Sequence, residues 1–197
     1  MTKQYDRRYF DHWYRGPAAA GRRAWLTRKA AMVVATAEYH LGGPLRSVVD
    51  VGCGEGAWRA PLLRLRPQLH YLGLDASPYA IARHGRARNL RLLDFAALGE
   101  QRFDRSFDLL LCSDVMHYLP TRTLDRGLAG FAQLCHGVAF LEVFCRGDAV
   151  EGDTLGYIAR TASFYRNRFA RAGFVPCGSQ LYLSAALAQD ATALELA

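Results

Sequence analysis

A chain of 197 residues, 51% of them apolar, is long enough to bury a core and too apolar to stay unfolded. Its formal charge is +7, carried almost wholly by arginine, since Lys3 and Lys29 are the only lysines. Five scattered cysteines (Cys53, Cys112, Cys135, Cys145, Cys177) without a C-x-x-C pair argue against a zinc site or a disulfide framework and suggest a reducing, cytoplasmic setting; no metal is expected, and no apolar run is long enough to cross a membrane.

The N-terminal stretch carries Tyr5, Tyr9, Phe10, Trp13 and Tyr14, an i, i+4, i+5, i+8, i+9 spacing that predicts one face of a helix over 4–14. A second helix is predicted over 18–39, closed by Gly42-Gly43-Pro44. Lys3, Arg7, Arg8, Arg15, Arg22, Arg23, Arg28 and Lys29 face only Asp6 and Asp11 in this region. Such an arm is either a solvated helix face or a surface for nucleic acid or an acidic substrate.

A rhythm of strands and helices follows. Strands are predicted over 47–51, 70–74, 90–93, 107–112 and 138–144, with helices over 57–65, 78–86 and 121–135 and a short turn over 96–100. This alternation implies an α/β fold with a mostly parallel sheet covered by helices on both faces. The end differs: a helix over 161–172 precedes strands over 173–176 and 180–185 joined by Cys177-Gly178-Ser179, a hairpin and hence an antiparallel edge. No repeat or linker interrupts the chain. One domain is expected over 1–197, comprising an N-terminal helical lid or arm (1–45), a core (46–185) and a tail (186–197).

The most informative segment is Val48-Val49-Asp50-Val51-Gly52-Cys53-Gly54-Glu55-Gly56. A valine-rich buried strand runs into glycines at alternate positions, a turn where a ligand can approach the main chain closely. A second acid, Asp75, stands 25 residues after Asp50 in Tyr71-Leu72-Gly73-Leu74-Asp75-Ala76. With Leu92-Leu93-Asp94-Phe95, the strand-four run Phe107 to Pro120 and the closing Arg171-Ala172-Gly173-Phe174, this pattern resembles the class I S-adenosylmethionine (SAM)-dependent methyltransferases. A nicotinamide-binding loop usually reads G-x-G-x-x-G instead.

The resemblance implies a Rossmann-like three-layer fold, a seven-stranded sheet in the order 3-2-1-4-5-7-6, and SAM as cofactor with S-adenosylhomocysteine (SAH) as product. It implies a cofactor site made by Gly52, Cys53, Gly54, Gly56 and Ala76, with Asp75 accepting from the ribose hydroxyls, Asp94 and the Phe95 N–H meeting the adenine, and Ser113 and Asp114 at the end of strand four. Asp50 is expected to act through water or by orienting the loop. The motifs of nucleic-acid adenine and cytosine methyltransferases are absent, and the loop Val115-Met116-His117-Tyr118-Leu119-Pro120 is similar to that of the small-molecule branch.

For the chemistry, His117 is the candidate general base, with a packing role as its competitor, and Tyr118 the weaker candidate. Tyr9, Trp13 and Tyr14 either contact the acceptor from a closing helix or simply pack on the sheet. Glu142, an acid in an apolar strand, either enters the acceptor pocket or pairs with an arginine. Arg22 or Arg23 meets the SAM carboxylate or is solvated. The polar stretch 146–161 is expected as a loop over the pocket. The expected activity is methyl transfer to O, N or S of a small molecule. The rival readings are RNA or protein methylation through the basic arm and a non-catalytic SAM-binding module. Nothing in the chain indicates an oligomeric state.

Overall fold

The computed structural model describes residues 5–16, 19–150 and 153–197. Its centre is a seven-stranded sheet of β1 (Ser47–Val51), β2 (His70–Asp75), β3 (Leu90–Leu92), β4 (Phe107–Ser113), β5 (Cys135–Glu142), β6 (Phe174–Gly178) and β7 (Leu181–Ser184) in the order β3-β2-β1-β4-β5-β7-β6. The strands β3, β2, β1, β4 and β5 run parallel, while β7 is antiparallel to both β5 and β6. This is the Rossmann-like α/β class that the resemblance implies. Order reverses between β1 and β4, and ligands of open α/β sheets bind beyond the carboxyl ends of the strands at such a point.

Alternation along the strands explains the layers. Val48, Leu109, Leu111 and Phe140 face one side and pack with Val33 and Val34 of α2 (Ala19–Leu41) and Leu62 of α3 (Arg59–Leu65). Val49, Leu110, Cys112 and Leu141 face the other. They meet Leu124 and Leu128 of α5 (Thr121–Leu128), Phe131 of α6 (Phe131–Leu134) and Phe169 of α7 (Ala162–Arg171). The buried stripe of α2, Ala30-Val33-Val34-Ala37, has the three- and four-residue spacing of a helix laid on a sheet. No helix among the described residues is long and apolar enough to cross a membrane.

Helix ends follow local chemistry. The first helix, α1 (Arg7–Arg15), starts where the Asp6 carboxylate accepts the Tyr9 N–H at 3.1 Å; Gln4 and Ala18, the expected starts of the first two helices, lie outside the described residues. In α4 (Pro78–Arg88), Ser77 caps the entry, Pro78 occupies the first turn and Asn89, at φ 56°, closes the exit. The expected hairpin link at Cys177-Gly178-Ser179 is displaced by one residue. Ser179 and Gln180, both at positive φ (49° and 63°), make a two-residue turn whose twist suits the strands. The tail forms a single 3-10 turn, Leu187–Gln189, and Leu187 and Leu196 pack on the α2 side of the sheet.

The helix expected over 121–135 is two helices and the start of a strand. Gly127 and Gly130 press the break against the 3-10 turn Phe95–Gly99: a Cβ at Gly127 would lie 2.2 Å from the Phe95 ring and 2.4 Å from its carbonyl oxygen. Gly127→Val is expected to cost about 3 kcal/mol, as overpacking against main chain does. Urea unfolding checks this, and an unchanged midpoint would refute it.

Candidate functional site

A cavity of about 370 Å³ opens at the carboxyl ends of β1, β2 and β4, a volume suited to a small organic ligand. Its floor is the turn after β1. The amides of Gly52 and Cys53 both donate to the Leu74 carbonyl of β2, at 2.7 and 3.1 Å, which tethers the turn to the sheet. Gly52 (φ 72°) and Gly54 (φ 55°) hold conformations that side chains disfavour. A Cβ would meet Val115 at 2.3 Å from Gly52 and the Tyr14 hydroxyl at 2.5 Å from Gly54. Cys53 lines the cavity with its thiol buried, and burial pushes that thiol up. Gly56 lies outside the lining; it packs against Leu90 and Arg88 on the way to α3.

Three aspartates edge this floor. Asp75, at the end of β2, accepts from the Gly54 amide at 2.7 Å through Oδ2 and from the Ser77 amide at 2.8 Å through Oδ1. Burial raises its carboxyl while both amides lower it. Asp50 is 2% exposed and accepts from the Tyr71 hydroxyl at 2.6 Å; burial pushes its carboxyl up to about 7. Asp94 is exposed at the end of β3 and caps the turn into Phe95 by accepting the Ala96 amide at 2.8 Å. Ala76 and Phe95 complete this side of the lining.

The roof is α1. Tyr5, Tyr9, Phe10 and Tyr14 all line the cavity, and Phe10 stacks on Tyr79 of α4 at 5.7 Å. The near end of the roof is tied by the Ser77 hydroxyl donating to the Tyr5 carbonyl at 2.7 Å. The far end is tied by Arg15, whose Nη2 donates to both Glu55 oxygens at 2.8 Å. Glu55 is buried inside the glycine turn, and Arg88 Nη1 donates to its carbonyl at 2.5 Å. The Arg15–Glu55 tie went unforeseen; the only signal was an acid within the glycine motif and a cation in phase with the aromatic face of α1. Trp13 is half-buried and lies outside the lining, with Arg22 donating to its carbonyl at 2.6 Å. Arg22 and Arg23 are exposed and do not line the cavity. Arg15→Ala is expected to loosen the roof and cut ligand affinity roughly tenfold at unchanged fold, since the pair is partly exposed and worth about 1 kcal/mol. Ligand titration beside a far-ultraviolet spectrum reads it.

The end of β4 closes the site. Ser113, Asp114 and Tyr118 line the cavity, and Asp114 sits at φ 61°. Two residues expected to face a substrate do not line it. Glu142 is held by Lys29 at 2.5 Å and by the Ser113 hydroxyl, so the partner of this strand acid is a lysine of α2 rather than an arginine. His117 is fully buried behind Tyr118, with Phe144 and Tyr157 against its ring. Its Nδ1 accepts the Phe144 amide at 3.4 Å and its Nε2 lies 3.0 Å from Asp114 Oδ1. The loop after β5 folds over it, with the Ile158 amide donating to the His117 carbonyl at 2.9 Å. His117 therefore stands one residue back from the cavity, with Asp114 between its Nε2 and the lining.

The family model for a methyltransferase domain matches residues 49–137. The fold is shared with solved methyltransferases. The Synechocystis magnesium protoporphyrin IX methyltransferase with bound SAH aligns with a TM-score of 0.65 at 17% identity, over 91% of this chain and 94% of that one. The sugar N-methyltransferase KedS8 from Streptoalloteichus aligns at 0.60 and 19% identity, over 79% and 85%. A methyltransferase domain model thus matches the core of the chain, and the fold is that of the class I SAM-dependent methyltransferases. A curated relative, trans-aconitate 2-methyltransferase from Deinococcus radiodurans, is 40% identical over 77 residues, 39% of this chain. The match spans 30% of that relative's length. The methyltransferase cavity fits SAM on its own chemistry: main chain bared at Gly52 and Gly54, carboxylates at the ends of β2 and β3, and no space that a side chain at either glycine could share.

Proposed function

We propose that this chain transfers the methyl group of SAM to a small-molecule acceptor held under α1, with SAH as product. The observation that carries the reading is the bond from the Gly54 amide to Asp75, which sets a carboxylate beside bare main chain at the cavity floor. Bound there, SAM supplies a methyl carbon made electrophilic by its sulfonium.

The rest falls to the protein. Asp75 keeps lone pairs for two sugar hydroxyls while its amide bonds fix its direction. Asp94 receives the base's amino group, with the Phe95 N–H as donor to the ring. Asp50 steadies the turn from below through Tyr71. Ser113 and Asp114 stand at the methionine end. Tyr9, Tyr14 and Tyr118 wall the acceptor, and the roof excludes water, which supports catalysis by alignment and desolvation. Relatives named for trans-aconitate, a porphyrin and a sugar share the domain or the fold, which favours a small acceptor. Five unpaired thiols agree with a reducing cytoplasm. The polymer reading through the basic arm draws less support, because Arg15 is engaged by Glu55 and Arg7 by Asp11.

Calorimetric titration with SAM, SAH, NAD and NADP tests the reading. Micromolar binding of the first two alone is expected; silence towards SAM and SAH, or comparable binding of NAD, would overturn it. A steep salt dependence of methyl transfer to RNA would favour the polymer reading.

A further inference from the structure

We propose that the acceptor is an amine, received by Asp114 at the end of β4; this rests on the methyl-transfer reading above. The chain as a whole is cationic, at +7, yet among the described residues no Lys, Arg or His lines the cavity and four aspartates do. Three of the four have other work. Asp50 is buried beneath the turn with Tyr71, Asp75 is bound by two loop amides, and Asp94 caps the turn at the far end of the site. Asp114 is left. Its side chain is 52% exposed and lies on the cavity wall shared with Val115, Tyr118 and Leu119.

A second, independent feature points to the same carboxylate. His117 is wholly buried, and its Nε2 has no hydrogen-bond partner of good geometry although it lies 3.0 Å from Asp114 Oδ1. Because Nδ1 accepts the Phe144 amide, a neutral ring carries its proton on Nε2, the nitrogen turned to Asp114. An orphaned buried donor aimed at an acid on the cavity wall is completed when that acid is fixed by a ligand on its other side. His117 is thus a positioning residue, and Asp114 is the group that touches the acceptor.

The surroundings favour a cation over an anion. The one buried arginine among the described residues, Arg160, is engaged elsewhere: its Nη2 donates to the Leu119 carbonyl at 2.7 Å and its guanidinium lies over the Phe164 ring at 4.8 Å. Lys29 is held by Glu142 and Arg15 by Glu55. A carboxylate or phosphate acceptor would meet Asp114 with no counter-charge, whereas an ammonium meets a carboxylate among the rings of Tyr5, Tyr9 and Tyr118. In the reaction, the ammonium gives its proton to Asp114 and on to solvent. The freed nitrogen lone pair forms the N–C bond as the C–S bond breaks, sulfur keeps that electron pair, and a methylated ammonium and SAH remain.

Matched probes test this on the SAH-loaded protein. Tyramine, tyrosol and 4-hydroxyphenylacetate differ only in ending in an ammonium, a hydroxyl or a carboxylate, and their dissociation constants are read by ligand-observed NMR. Tyramine is expected to bind at least tenfold more tightly than 4-hydroxyphenylacetate. Asp114→Asn, a residue that tolerates the positive φ, is expected to erase the difference when the probes are compared at saturating SAH. His117→Leu is expected to shrink the difference severalfold, and His117→Gln, which keeps a donor, to retain more of it than leucine does. Equal or reversed preference in the native protein, no binding of tyramine, or a preference that survives in Asp114→Asn overturns the amine assignment. Failure of SAH itself to bind overturns the methyl-transfer reading and the assignment with it, and is seen before any probe is added.

Discussion

Asp75→Asn is expected to weaken SAM binding at least a hundredfold. Each carboxylate oxygen of Asp75 accepts a main-chain amide, from Gly54 and from Ser77. Asparagine would set its own NH₂ against one of those amides, donor against donor, and would remove the charge from the bonds to the ligand. Charge-assisted hydrogen bonds are roughly twice as strong as neutral ones, and an unsatisfied buried donor costs about 1–3 kcal/mol. Together these reach about 3 kcal/mol, which is a hundredfold in affinity. Calorimetry with SAM and SAH, beside a urea curve to separate folding from binding, measures it. Affinity within threefold of the native value would remove Asp75 from the sugar site.

The second large effect concerns stability and pH. Asp50 sits in the first strand, 2% exposed, with its carboxyl pushed up from 3.8 to about 7 chiefly by burial and further by the neighbouring charge of Asp75, against the lowering effect of Tyr71. The folded state therefore holds this proton to a higher pH than the unfolded chain does. The stability tied to it is complete below about pH 4, declines as pH rises towards 7, and is lost above. A separation of this size is worth on the order of 4 kcal/mol. Asp50→Asn keeps an oxygen for the Tyr71 hydroxyl and carries no charge. The variant is expected to match the native protein near pH 4 and to exceed it by a few kcal/mol at pH 8. Urea denaturation across that range decides; parallel profiles would mean that Asp50 does not titrate as its burial demands.

Much of the fold was legible because its signals are local. Valines and leucines in short runs mark β1 and β4, and Ser77-Pro78 marks the start of α4. The sheet order came from the resemblance, and the observed order is the same. The errors came where a distant contact overrides the local pattern. The run after Pro120 reads as one helix until Gly127 and Gly130 are seen lying against Phe95 and Leu98, and the strand then begins at Cys135 rather than at Val138.

The site divides in the same way. Gly52, Gly54, Asp75 and Asp94 could be named from motif spacing, and all four line the cavity. The bonds between Asp50 and Tyr71 and between Arg15 and Glu55 join residues 21 and 40 positions apart, and no local pattern encodes them. His117 follows the strand whose end forms the site, as motif spacing indicates, but the loop that covers it belongs to a later part of the chain.

The roof over the cavity is a helix of only nine residues. A helix that short has almost no standing of its own in water, because nucleating it costs more than so few turns return. What holds it is the burial of Phe10 and the grip of Arg15 on Glu55. Weakening either contact is therefore felt directly at the entrance, because so short a helix brings little stability of its own to resist loosening.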